Sequence, residues 1–87
     1  MYVILVYDVG EKRVGKMLKL CRRYLHWIQN SVFEGELTDL QLRELETDAR
    51  RLMNLKEDSL ILFQSREARW MSKNVIGKEK NELDNFL

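Results

Sequence analysis

Proline is absent from these 87 residues, and cysteine and histidine occur once each. With no proline, repeat or low-complexity stretch, nothing marks an internal boundary, and a chain this short holds one domain. The lone Cys21 excludes an intramolecular disulfide and a CxxC metal site, and it suits a reducing cytoplasm. The lone His26 excludes a multi-histidine metal site and an HExxH helix within one chain. Neither a P-loop nor a GxGxxG dinucleotide fingerprint is present. The longest apolar run, Tyr2 to Tyr7, is far short of the roughly 20 residues of a membrane helix. It has no basic leader and no small-residue cleavage site, so no signal peptide is expected.

What is present is globular in character: 45% hydrophobic and 33% charged residues. A chain of this size buries a modest share of its surface, which makes dimerisation a natural expectation. The net charge of +1 conceals an uneven distribution. Between Glu11 and Asn30, six Lys or Arg stand against one Glu; between Ser31 and Asp48, six acids stand against Arg43 alone. Such a chain offers a polyanion one face to bind and another that repels it, unless the two segments pair with each other.

Tyr2 to Val9 is nearly continuously apolar, as in a central strand buried on both faces. Glu11 to about Arg23 reads as a helix, with Val14, Met17, Leu18 and Cys21 forming its buried stripe. Lys12, Lys16, Lys19 and Arg23 follow their own helical spacing on the exposed side, with Arg13 beside them. Strands are expected at Leu25–Gln29 and Val32–Leu37 around an Asn30-Ser31 turn, in preference to a longer first helix. Thr38 and Gln41 have the spacing of a capping box, opening a second helix to about Asn54 that buries Leu42, Leu45, Ala49 and Leu52. Asp58–Ser65 is a fourth strand and Trp70–Gly77 a fifth. The order is ferredoxin-like βαββαβ with an additional C-terminal strand, an α+β fold whose antiparallel sheet carries two helices on one face. Residues 1–77 form the domain; 78–87 are a charged tail whose Phe86-Leu87 end is suited to docking on a partner chain.

Asp8 interrupts this pattern. It ends an apolar strand, where a carboxylate is costly to bury without a partner. One role is a turn residue or cap for the following helix. The other is a hard oxygen ligand for Mg²⁺, which uses one or two carboxylates and keeps several waters. A two-fold dimer with Asp8 near its axis supplies a second carboxylate. The basic residues just beyond Asp8 suit phosphate, and Tyr7, Tyr24 and Trp27 suit either core packing or stacking on bases. Cys21 lies on the apolar stripe and reads as core, and His26 as an ordinary, partly exposed side chain.

"VYDV", the basic first helix, "IQNSVFEGEL", the acidic second helix and "DSLILF" occur in this order over residues 1–77. Together they resemble the CRISPR-associated Cas2 proteins, small nuclease-like subunits of spacer acquisition. The resemblance implies a cytoplasmic ferredoxin-like homodimer in which Asp8 of each chain binds a shared divalent metal. It implies Mg²⁺-dependent endonuclease activity on RNA or DNA, with Asp8 catalytic, and bridging of the CRISPR integrase subunit and duplex DNA. It makes Arg13, with Lys12, a candidate phosphate contact. Ser31 and Phe33, matching the family's "SVFE", join Tyr7 as residues shaping the site or the dimer contact. Val14-Gly15 departs from the basic run of many relatives. Two other functions fit the residues: a non-catalytic DNA-binding adapter of the integrase, and a toxin-like ribonuclease of similar fold.

Overall fold

The computed structural model describes residues 1–67 and 72–81. β1 (Tyr2–Asp8), α1 (Glu11–Arg22), β2 (His26–Gln29), β3 (Val32–Glu36), α2 (Asp39–Leu52) and β4 (Ser59–Ser65) follow in βαββαβ order. The strands form one antiparallel sheet in the order β2-β3-β1-β4, so β1 is central, paired with β3 on one side and β4 on the other. No helix among the described residues is long and apolar enough to cross a membrane.

Burial along β1 alternates: Val3, Leu5 and Tyr7 are covered, whereas Tyr2, Ile4 and Val6 are half-buried. The covered set packs with Met17, Leu20 and Cys21 of α1, Phe33 of β3, and Leu42, Leu45 and Ala49 of α2. Both helices therefore lie on one face, and only that face of β1 is fully buried, not both as the apolar run predicts. On the other face Ile61 and Phe63 remain half-exposed.

Two helix details depend on local signals. The Thr38–Gln41 capping box forms in full, each side chain bonding the other's backbone N–H, so α2 starts where the spacing predicts. In α1 the buried residues are Met17, Leu20 and Cys21. Val14 is 40% exposed, because the stripe centres on Met17 and turns Val14 towards its margin. Leu52 and Leu18 are likewise partly buried flank residues.

Among the described residues the sheet has four strands, without the fifth expected at Trp70–Gly77. Trp70 and Met71 lie outside the described residues, and 72–77 pair with no strand. Residues 72–74 instead share a cavity with Tyr2, Ile4, Ile28, Val32 and Glu34 on the open face of the sheet. The anchor is ionic: Lys73 Nζ donates to Glu34 Oε1 at 2.6 Å, while the Tyr2 hydroxyl donates to Oε2 at 2.6 Å. A segment held over a sheet face by side chains does not extend the ladder, which needs a free edge. Farther on, the Asn81 amide donates to the Trp27 carbonyl. Phe86 and Leu87 lie outside the described residues.

Candidate metal and nucleic-acid site

β1 delivers Asp8 to the end of the sheet. In register it faces Ser59, the first residue of β4, while on the other side the Tyr7 amide donates to the Ser31 carbonyl at 3.2 Å. The strand's two-residue period puts Asp8 with Tyr2, Ile4 and Val6 on the open face, away from the helices. Asp8 is exposed, and no described residue hydrogen-bonds or ion-pairs with its carboxylate. It does not cap α1: Gly10 occupies that position, with no side-chain cap bond.

Tyr7 and Phe33 pack on the opposite, helix-covered face of the sheet, within the core. Their rings stack at 6.1 Å between centroids, and Phe33 is fully buried within the protomer, so it supports Tyr7 from below. Burial, reinforced by the neighbouring Cys21 thiol, raises the Tyr7 phenol. The same burial pushes Cys21 up to about 12, which keeps it a protonated core residue and not a nucleophile. His26 pairs with Glu34, which itself pairs with Ile4, so His26 is level with a point four residues back from Asp8. It takes no part in this end of the sheet.

The candidate cations divide into two groups. Lys12, Lys16, Lys19 and Arg23 are exposed along one side of α1 and just beyond it, and none forms an ion pair among the described residues. Arg13 is elsewhere. It stands i, i+4, i+7 with Met17 and Leu20, on the side of α1 that meets the body of the protein. Its Nε donates to Asp58 Oδ2 at 2.6 Å and its Nη2 to Asp58 Oδ1 at 3.0 Å and Glu57 Oε2 at 3.2 Å. The Asp58 side chain is 0% exposed. It also accepts from the Gly10 N–H at 2.8 Å and the Asn54 N–H at 2.9 Å. This fork, chiefly the Arg13 bond, holds the Asp58 carboxyl well below the usual carboxylate range and raises the Arg13 guanidinium.

Asp58 joins the loop after β1 to the loop before β4, next to both strands of the Asp8 site. In the sequence Asp58 reads only as the start of a strand. The available signal was Arg13 itself: an arginine on a helix's buried face needs a carboxylate.

The geometry thus puts Asp8 beside Ser59, leaves Ser31 level with Tyr7, and keeps Lys16, Lys19 and Arg23 exposed on the helix layer. Asp8 offers one hard oxygen ligand, and among the described residues no group of three or more His, Cys, Asp or Glu is close enough to hold a metal. That donor set fits half of a sparse Mg²⁺ site, since oxygen is the atom such an ion takes and water fills the rest.

The family model of CRISPR associated protein Cas2 matches residues 1–73. The chain belongs to the CRISPR-associated Cas2 family. A CRISPR-associated endoribonuclease Cas2 of Methanothermobacter thermautotrophicus is 46% identical over 86 residues, covering 99% of this chain and 94% of that protein. The one of Thermotoga maritima is 46% identical over 87 residues, covering 100% and 99%. A Cas2 crystal structure with 43% sequence identity aligns with a TM-score of 0.80 over 92% of this chain and 90% of its own. Within this Cas2 frame, the ferredoxin-like fold expected from the element order is the fold observed.

Proposed function

We propose that this Cas2-family chain is a Mg²⁺-dependent endonuclease of CRISPR spacer acquisition, working as a homodimer and cutting phosphodiester bonds of RNA. The observation that carries the reading is the Asp8 carboxylate, exposed and without a partner among the described residues, at the end of an otherwise apolar strand. Asp8 of each chain holds one shared Mg²⁺. When bound, that ion supplies a water of lowered pKa and relieves charge on the phosphoryl oxygens. The half-exposed Ile61 and Phe63 lie on the face to which Asp8 belongs, so a second copy covering that apolar face supports the shared site. Lys12, at the start of α1, takes a phosphate beside the scissile bond. RNA is chosen over DNA because the relatives quoted above are named endoribonucleases. The test is a Mg²⁺ titration with defined single-stranded RNA and duplex DNA, comparing wild type with Asp8→Asn. Metal-dependent RNA cleavage that Asp8→Asn abolishes is expected; undiminished cleavage by a nuclease-free preparation of the variant overturns the reading.

A second reading is favoured by Lys16, Lys19 and Arg23, which are exposed on the helix layer while Asp8 belongs to the open face of the sheet. In it the dimer is an adapter, gripping duplex DNA with α1 and contacting the integrase subunit, and cleavage is secondary. Charge reversal at Lys16, Lys19 and Arg23 then weakens DNA binding and flattens its salt dependence. Asp8→Asn leaves spacer integration intact. The two readings part on integration measured with Asp8→Asn.

A further inference from the structure

Arg43 is the one cation between Ser31 and Asp48, and the fold gives it a definite neighbour. It lines a cavity of about 370 Å³ where the end of α1 meets α2, together with Arg23, Tyr24, Glu44, Thr47 and Asp48. Arg23 closes the basic stripe of α1, so the stripe leads into this notch. Its guanidinium lies over the Tyr24 ring, 5.6 Å from the centroid. Glu44 and Asp48 line the same notch, yet neither forms an ion pair with Arg23 or Arg43 among the described residues. Thr47 is committed to its own helix, its hydroxyl donating to the Arg43 carbonyl at 2.8 Å. The notch therefore offers, with no ion pair among the described residues, two guanidinium groups, of which Arg23 rests on the ring, one aromatic ring and two carboxylates.

Each part matches a portion of a nucleotide. Arginine forks suit phosphate oxygens, tyrosine rings stack bases in single-stranded nucleic acid, and carboxylates accept hydrogen bonds from base amino groups or sugar hydroxyls. The volume lies at the lower end of the range for small-molecule sites. We propose that this notch is a nucleotide subsite for single-stranded RNA at the far end of the α1 stripe. A base takes the place over Tyr24 that Arg23 fills in the free protein, and Arg23 moves with Arg43 to the adjoining phosphate. Glu44 and Asp48 orient the sugar and base edge and turn a second phosphate away. The inference rests on the reading of α1 as a nucleic-acid grip and is independent of cleavage at Asp8.

The test is fluorescence anisotropy with a labelled single-stranded RNA and a duplex DNA in EDTA, over a range of salt. The proteins are wild type, Arg43→Ala, Tyr24→Leu, Tyr24→Phe and the Lys16→Glu/Lys19→Glu double variant, each checked by thermal melting. Tyr24→Leu is expected to weaken RNA binding by about 5- to 100-fold, with Tyr24→Phe near wild type because the ring is retained. Arg43→Ala is expected to weaken RNA binding and reduce the salt slope by about 1. Wild-type RNA affinity in both Arg43→Ala and Tyr24→Leu, with the double variant impaired, overturns the notch and leaves the grip standing. Wild-type affinity in all of them overturns the grip as well. Equal losses on duplex DNA, whose bases are already stacked, overturn the role of Tyr24 as a base platform.

Discussion

Asp8 and Asp58 stand beside the same pair of strands, one ending β1 and the other just preceding β4, and their carboxylates have opposite surroundings. The Asp58 side chain is fully covered and collects two bonds from Arg13 and one each from the Gly10 and Asn54 amides. Asp8 is exposed and collects none among the described residues. A buried carboxylate must be saturated from within, or its desolvation is uncompensated. An exposed one at a strand end has no such demand, so its oxygens stay available to something outside the chain. Asp58 holds the loops in place, and Asp8 is what they present.

The largest effect expected from breaking this contrast is on stability. Asp58→Asn removes the buried charge partner of Arg13, leaving it only the exposed Glu57, and is expected to lower Tm by more than about 10 °C. Asp8→Asn is expected to leave Tm within about 2 °C of wild type. Thermal melts by circular dichroism at pH 7 make the comparison. Acid sharpens it, since folding lowers the Asp58 pKa below its ordinary 3.8. The stabilisation is complete above about pH 5, where the carboxylate is ionised in both states, and drains away as pH falls below about 4 towards the folded value. The gap between wild type and Asp58→Asn should therefore be flat near neutrality and close on acidification. A gap that widens in acid would contradict the ion-pair origin.

The contrast also explains what could be read from the chain. Asp8 stood out because its disturbance is local, a carboxylate ending an apolar strand. The Thr38–Gln41 box was legible for the same reason, being complete within four residues. The Asp58 network was not legible, because its partners Gly10 and Arg13 lie 48 and 45 residues away. Only tertiary folding decides whether Arg13 meets phosphate or a remote carboxylate. Val14 was misplaced for a subtler reason. Several apolar residues fit a helical stripe equally well, and the sheet beneath selects Leu20 instead. The apolar outer residues of β1 gave no hint that residues 72–74 pass across them, because a strap held by Lys73 and Glu34 has no local period.

Arg13→Lys tests the geometry of the clamp rather than its charge. Lysine keeps the positive charge but loses the planar fork that reaches both Asp58 oxygens and Glu57. A Tm loss of about half that of Asp58→Asn is expected. If Arg13 served phosphate alone, Arg13→Lys would lower nucleic-acid affinity with Tm unchanged, and the two assays run together separate these outcomes.

Within the clamp the smallest effect is expected at Gly10, and it tests how tightly the clamp closes. A Cβ built there runs into Arg13 Nη2 and meets Cζ at 3.1 Å. The backbone itself does not require glycine, since φ is −57°. Gly10→Ala should therefore act only by pushing the guanidinium off Asp58, and a Tm loss of roughly 3 to 5 °C is expected. A double-mutant cycle with Asp58→Asn isolates that route. With Asp58 already neutralised, the guanidinium is free to move and Gly10→Ala should cost almost nothing more. Full additivity would mean that glycine is needed for the helix start and not for the clamp. The same cycle read through metal-dependent cleavage asks whether the clamp steadies the loop that follows Asp8. A loss of activity in Gly10→Ala at a temperature where the variant is fully folded would tie the buried aspartate to the exposed one.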